Sequence, residues 1–283
     1  MKIGLIGCGN MGGAMAVHLA ASAHAPLCFD PDPESMARVA AGGCQVAATQ
    51  LEVAAACDLI ILSLPRADIV RGVMEAITPH VAPGSVVIDT STSEPGTTRD
   101  MNRLAKENGF SFVDAPVSGG PAAAGTGTMT MLIGGDDDAV LTAQPVLDLL
   151  GSRIVRVGPS GSGHAAKIAN NLLCAANLVL VSEMVRLGVA AGVKPEDLLD
   201  GINAGSGRSG VSEVNFPRWI LDESFDSGFT MGLMRKDVKL AIDLAAEQGM
   251  RLPASEAIAD IWNRSRSEIA DDADFNCITK YQA

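Results

Sequence analysis

Short apolar runs punctuate the first half of the chain: KIGLIG (2–7), PLCFD (26–30), DLIILSL (58–64), SVVID (85–89), FSFVDAP (110–116), TMTMLIGG (128–135) and RIVRVG (153–158). Most are continuously apolar instead of alternating, the pattern of strands covered on both faces. Helical patterns fall between many of them, notably over 11–22, 34–42, 97–108 and 136–150. Strands alternating with helices predict an α/β domain built on a parallel, doubly wound sheet.

From about residue 162 almost nothing reads as strand. GSG at 161–163 opens a helical run that continues to about Ala191, before Gly192. KPEDLLDGINA starts another helix with Pro195 in its first turn, where a missing N–H costs nothing. The Gly/Ser stretch AGSGRSG (204–210) interrupts, and helical patterns resume in MRKDVKLAIDLAAEQG and ASEAIADIWNRSRSEIA. The shift predicts an α/β domain over 1–161, a long connecting helix over 162–192 and an all-α domain over 193–283. Internal repeats and low-complexity tracts are absent from the sequence.

Of the 283 residues 47 % are hydrophobic, enough for a substantial core. The net charge of −12, without a block of Lys and Arg, argues against nucleic acid or an anionic membrane as partner. A small anionic ligand held by a few local cations remains open. The six cysteines at 8, 28, 44, 57, 174 and 277 form no C-x-x-C pair and no metal spacing, so no metal site is expected. Reduced thiols acting as small hydrophobes, in the cytoplasm, account for them. The N-terminus has a Lys, an apolar run and an A-x-A ending like a signal peptide. The glycines at 7, 9, 12 and 13 suit a turn better. No run approaches 18 uninterrupted apolar residues, so no membrane span is expected.

Three motifs carry candidate chemistry. Gly7-Cys8-Gly9-Asn10-Met11-Gly12 follows a predicted strand and opens a predicted helix, with Asp30 at the end of the next strand. Glycines there permit a tight turn and let backbone N–H groups approach a pyrophosphate, and the helix N-terminus adds partial positive charge. A carboxylate at Asp30 can accept hydrogen bonds from ribose hydroxyls and repels a 2′-phosphate, which favours NAD over NADP. The second motif, DAPVSGGPAAAGTGTM (114–129), breaks from a strand into Ser118-Gly119-Gly120, where free backbone amides can meet a carboxylate. The third is GSGHAAKIANNLL (161–173). It sets Lys167 and Asn171 four residues apart on one face of an otherwise apolar helix.

GCGNMGGAMAVHL, LSLP (62–65), DTST (89–92), DAPVSGG, GSGHAAKIANN and LMRKDVKLA together resemble the successive signatures of the β-hydroxyacid dehydrogenases, in order from residue 1 to about 245. That family includes 3-hydroxyisobutyrate dehydrogenase and tartronate semialdehyde reductase. The resemblance implies a Rossmann domain joined by a long central helix to an all-α domain, assembled as a homodimer or homotetramer. It implies that Lys167 is the catalytic lysine and Asn171 the substrate-site asparagine. Ser118, Gly119 and Gly120 would hold the substrate carboxylate. Gly7, Gly9, Asn10, Met11, Gly12, Leu64, Pro65 and Thr92 would line the cofactor. Lys236 matches a lysine of the all-α domain that closes over the same cleft and would meet both substrate and cofactor.

The implied reaction is reversible hydride transfer between a short, 3-hydroxyisobutyrate-like β-hydroxyacid and NAD, with Lys167 moving the hydroxyl proton. Burial and a nearby Lys236 would favour the neutral amine that such a base needs. Residues 204–231 match no one substrate subgroup, so the side chain of the substrate stays open. The 118–121 loop lacks an arginine for a sulfonate. A tartronate semialdehyde reductase, or a related semialdehyde reductase, is the alternative enzyme. An imine reductase would lack the lysine. A non-catalytic nucleotide-binding module is the alternative of another class, and the joint presence of Lys167, Asn171 and SGG argues against it.

Overall fold

A computed structural model describes residues 1–281 of the chain. They divide into two units, Met1–Lys167 and the residues from Ile168 onward. The first unit begins β1 (Ile3–Ile6), α1 (Asn10–Ala21), β2 (Leu27–Phe29), α2 (Pro33–Ala41), β3 (Gln45–Val46), α3 (Gln50–Ala56), β4 (Leu59–Leu62), α4 (Ala67–Ile77), β5 (Val86–Asp89), α5 (Pro95–Glu107) and β6 (Ser111–Asp114). It continues with β7 (Val117–Ser118), α6 (Gly120–Thr126), β8 (Met129–Gly134), α7 (Asp137–Leu150) and β9 (Gly151–Gly158), and ends in the first turns of α8 (Ser162–Ala190).

One sheet runs in the order β3-β2-β1-β4-β5-β6-β8-β7, with β9 on β8. Strands β1 to β6 are parallel, and Leu5 pairs with Ile61 in register beside Ile61 with Ile88. Successive residues of a strand face opposite sides of the sheet. Leu5, Ile61, Ile88 and Val113 accordingly enter one buried cluster, while Ile6, Ile60, Leu62, Val87 and Phe112 enter a second. Two cores, one per face, explain why these strands read as continuously apolar. The order changes direction between β1 and β4, and ligands of open α/β sheets sit beyond the carboxyl ends of strands at such a point.

The sheet is not wholly parallel. β8 runs antiparallel to β6, with Asp114 opposite Gly134, and β9 follows β8. After β6 the chain forms β7 and α6 at the same end of the sheet instead of crossing a face, so it can only return in the reverse direction. The two-residue strands β3 and β7, and the helices α3, α4 and α6, add to the elements expected from the apolar pattern. α3 had a local signal: Thr49 Oγ1 accepts from Glu52 N, and the Glu52 carboxylate accepts from Ala48 N, close to a capping box.

The second unit continues α8 and adds α9 (Pro195–Ala204), a π-helical segment over Val211–Ile220, α10 (Met231–Glu247) and α11 (Pro253–Arg264). Its core joins Ala175, Leu178, Phe216, Met234, Val238 and Trp262. The Trp262 indole, fully buried, donates to Ala175 O at 3.2 Å. Thr230 Oγ1 accepts from Leu233 N and so starts α10, the helix that carries Lys236. α8 is long and apolar enough to cross a membrane by length and composition, with 33 % of its apolar window buried. Asn171, Asn177 and Ser182 interrupt the run, yet its mean hydropathy still reaches 1.7, so a search for uninterrupted apolar sequence passes over it. None of the six cysteines is in a disulfide, and Cys8, Cys28, Cys44 and Cys57 are buried.

Candidate active site

The turn after β1 shows why it is built from glycine. A Cβ on Gly12 would lie 1.8 Å from Gly7 O, so the chain itself excludes a side chain there. A Cβ on Gly9 would meet nothing within 4 Å. That position needs a glycine only if something outside the chain approaches its backbone. Gly9 is also the N-cap of α1 and supplies no side-chain hydrogen bond to it, so the helix N-terminus is left for a ligand. This cradle fits a dinucleotide pyrophosphate.

Asp30 follows β2 directly. Its Oδ2 accepts from Cys8 N at 2.6 Å and its Oδ1 from Asp32 N at 2.8 Å. A carboxylate has about four lone-pair positions, so roughly two remain for ribose hydroxyls. An open cleft of about 560 Å³ adjoins it, walled by Phe29, Pro31, Met36, Val46 and Ala47 among others, apolar surfaces suited to a flat base. Leu64 and Pro65 follow β4, and Thr92 follows β5. Leu64 N donates to Ser91 Oγ at 2.9 Å, which ties these two strand ends together. The expected cofactor residues of the first unit thus stand beyond the carboxyl ends of β1, β2, β4 and β5, while Lys236 lies on α10 in the second unit.

The first unit also brings Lys167 and Ser118 together. Lys167 is only 8 % exposed, and its Nζ donates to Ser118 Oγ at 3.0 Å. Ser118 ends β7, and Gly119 follows at φ +124°, a left-handed conformation that turns the chain into α6. A Cβ on Gly119 would lie 2.5 Å from that of Ala123, so the loop needs this glycine for its own packing. Gly120 is the first residue of α6.

In the second unit, Asn171 Nδ2 donates to Asp237 Oδ2 at 2.6 Å, and Lys236 Nζ lies 3.3 Å from Asp237 Oδ1. Asp237 is 1 % exposed and therefore anchors both residues singled out in the sequence. Asn170 Nδ2 donates to Asn171 Oδ1 at 3.1 Å, which leaves the orientation of that carboxamide fixed from both ends. Three residues escaped the sequence reading although each lies within a quoted motif. Asp237 is one, in LMRKDVKLA. Asp114 is fully buried and accepts from Gly161 N at 2.8 Å and His164 N at 3.1 Å, capping α8. His164 is the third. A buried charge or imidazole leaves no trace in apolar periodicity, and the motif context was the available signal.

With this geometry in view, residues 2–158 match the family model of the NAD binding domain of 6-phosphogluconate dehydrogenase. Residues 161–282 match that of the NAD-binding of NADP-dependent 3-hydroxyisobutyrate dehydrogenase. Together the two matches take in nearly the whole chain in the expected order. The chain belongs to the β-hydroxyacid dehydrogenase family. It is 37 % identical to 2-(hydroxymethyl)glutarate dehydrogenase of Eubacterium barkeri over 283 residues, 99 % of this chain and 94 % of that protein. It is 30 % identical to NAD-dependent L-serine dehydrogenase of Pseudomonas aeruginosa, over 99 % of this chain and 97 % of that one. Among solved structures, that of Mycobacterium tuberculosis 3-hydroxyisobutyrate dehydrogenase with L-serine superposes with a TM-score of 0.93 at 31 % identity, covering 99 % of this chain and 98 % of that one. As a β-hydroxyacid dehydrogenase the chain is an NAD(P)-dependent oxidoreductase acting on short hydroxyacid or semialdehyde substrates.

Proposed function

We propose that this enzyme interconverts a short, 3-hydroxyisobutyrate-like β-hydroxyacid and its semialdehyde, with Lys167 as general acid–base. The observation that carries this reading is the buried Lys167 Nζ held 3.0 Å from Ser118 Oγ, at the edge of a loop of free-turning glycines. A lysine is seldom buried without a partner or a task, and here it has a hydroxyl that can also touch a substrate.

When bound, the nicotinamide accepts or returns a hydride. Gly7, Gly9, Asn10, Met11 and Gly12 would hold the pyrophosphate, Asp30 the adenosine ribose, and Leu64, Pro65 and Thr92 the remaining wall. Ser118 and the amides of Gly119 and Gly120 hold the substrate carboxylate. Lys167 takes the proton of the hydroxyl during oxidation and gives it back during reduction. Asn171, one helical turn further along α8, orients the hydroxyl, with Asp237 fixing the carboxamide. By the family resemblance Lys236 would serve as a further cation; within its own unit it pairs with Asp237. The carboxylate of Asp30 favours NAD over NADP.

The names of the relatives widen the substrates to be tried, since all of them carry a hydroxymethyl group beside a carboxylate-bearing carbon. The test is a panel of 3-hydroxyisobutyrate, 2-(hydroxymethyl)glutarate, L-serine and glycerate, each with NAD and NADP, beside the methyl ester and amide of each acid. Turnover of the acids with NAD and inert esters and amides is the expected result. Equal turnover of the uncharged compounds would remove the carboxylate loop from the account.

Assembly as a homodimer or homotetramer is part of the same proposal. α8 exposes Leu173, Leu180, Met184 and Leu187 at spacings of seven, four and three, with Leu173 64 % and Leu187 62 % exposed. Such a seam is of the kind that one helix offers another. Sedimentation of the protein and of Leu180→Glu tests it: the wild type should be oligomeric and the variant monomeric.

A further inference from the structure

His164 is completely buried in the first unit, three residues before Lys167 on α8, and each nitrogen of its ring has a partner on a different element. Nε2 lies 3.0 Å from Ser91 O, in the turn after β5. Nδ1 lies 2.6 Å from Thr98 Oγ1, on α5. A carbonyl oxygen only accepts, so Nε2 carries a proton and donates to Ser91 O, with Asp89 Oδ2 3.8 Å away. The Thr98 hydroxyl, which also donates to Glu94 O at 3.2 Å, shares a hydrogen bond with Nδ1. One ring thereby joins the β5 turn, α5 and the first turn of α8.

What the turn holds gives this bond its meaning. Ser91 accepts the N–H of Leu64 on its hydroxyl, and its own N–H donates to Asp89 Oδ1 at 3.0 Å. Leu64, Ser91 and Thr92 therefore move together, and they form the proposed wall of the nicotinamide end. The helix that carries Lys167 is already capped by Asp114 at Gly161 N and His164 N. That cap fixes where α8 starts, but hydrogen bonds to two amides beside the axis leave its rotation about that axis less constrained. The imidazole, projecting from the side of the helix, supplies the missing constraint.

We propose that His164 is a positioning residue for the hydride-transfer step, locking the base-bearing turn of α8 to the cofactor-lining turn at Ser91 so that Lys167 and that wall keep one register. This rests on the reading of Lys167 as the base. It assigns to the Ser91 bond, and not to the Thr98 bond, the larger share of the effect, because only Ser91 connects to Leu64 and Thr92.

Two conservative substitutions separate the two bonds. A glutamine places its amide nitrogen near the position of Nε2, and an asparagine places its amide near Nδ1. His164→Gln should keep the bond to Ser91 O, His164→Asn should keep only a partner for Thr98, and His164→Leu should keep neither. The full-length variants are assayed for kcat and KM on whichever acid of the panel the wild type turns over fastest. NADH affinity by fluorescence titration, melting temperature and amide hydrogen exchange over 159–168 are measured beside them, with Lys167→Arg as reference. A displacement on the order of 1 Å can cost about 10²-fold in rate, so kcat should fall roughly 10- to 100-fold in the Leu and Asn variants. It should stay within about threefold of wild type in the Gln variant, and KM and NADH affinity should hardly change in any of them. Exchange over 159–168 should quicken in the Leu and Asn variants only.

If Lys167→Arg is inactive while His164→Leu keeps its kcat, the positioning role is wrong and the base assignment survives. If the three His164 variants lose kcat, NADH affinity and melting temperature alike, the residue is a core group and the proposal fails. If Lys167→Arg stays active, the base assignment fails first and takes this inference with it.

Discussion

Replacing Asp30 should weaken NAD binding by an amount that the structure divides into two parts. The carboxylate already accepts Cys8 N and Asp32 N, so Asp30→Ala removes internal bonds as well as the ribose acceptor. Hydrogen bonds to a charged group contribute about 1.5–3 kcal/mol, which corresponds to roughly a 10- to 100-fold loss of NAD affinity. The internal part falls on Cys8, which is fully buried and would keep an N–H with no acceptor. Leaving such a donor unsatisfied costs about 1–3 kcal/mol of stability, a fall of several degrees in melting temperature. Asp30→Asn separates the two parts, since its one carbonyl oxygen can still serve Cys8 N while the charge is gone. NAD and NADP affinities by titration, and melting curves without cofactor, should show Asn close to wild type in stability but near Ala in NAD affinity. NADP should gain on NAD in both. An unmodified protein that binds NADP as tightly as NAD, or an Asp30→Ala variant within twofold of wild type for NAD, refutes the reasoning.

Ser118→Ala removes one acceptor of Lys167 Nζ and a contact for the substrate carboxylate, and should lower kcat/KM about 10- to 100-fold; steady-state kinetics that stay within twofold of wild type would count against it. Asp237→Ala strips the anchor from Asn171 and the ion pair from Lys236, and should lower stability by about 1–3 kcal/mol in chemical denaturation, together with kcat/KM. Burial pushes the Cys57 thiol up from 9.0 to about 11, and it holds the thiols of Cys44 and Cys277 above their ordinary value. For Cys28 the neighbouring Cys8 side chain is the first cause and burial the second. A raised folded value means that the unfolded chain loses its proton first, so the stabilisation is complete below pH 9 and declines as pH rises toward 11. Cys57→Ala should flatten that alkaline decline in denaturation curves taken at pH 8 and pH 10, and an unchanged slope would contradict the assignment.

The apolar pattern disclosed the parallel core of the sheet because burial on both faces leaves no polar position in β1 or β4 and only the terminal Asp89 in β5. It did not disclose the reversal at β8, since a strand's apolar composition carries no direction. β3 and β7 are two residues long, too short for any period to register. Lys167 and Asn171 stood out because each breaks an apolar helix. Asp114, His164 and Asp237 lay in the same motifs yet drew no attention, because their roles depend on partners distant in sequence: Gly161, Ser91 and Asn171. Nor could spacing reveal that Gly119 is needed by Ala123 as much as by a ligand. That overlap makes Gly119 a poor probe of substrate binding and Ser118 a better one.

The central claim is that Lys167 moves a proton, and Lys167→Arg tests it most directly. A guanidinium keeps the positive charge but does not release a proton near neutral pH. Single-turnover NADH formation on the best acid of the panel should fall about 10²- to 10⁴-fold, the usual range for loss of a general acid–base. NADH affinity should stay close to wild type, because the glycine turn and Asp30 are untouched. A Lys167→Arg enzyme that keeps most of the wild-type rate would show that charge alone suffices and that the proton is taken elsewhere.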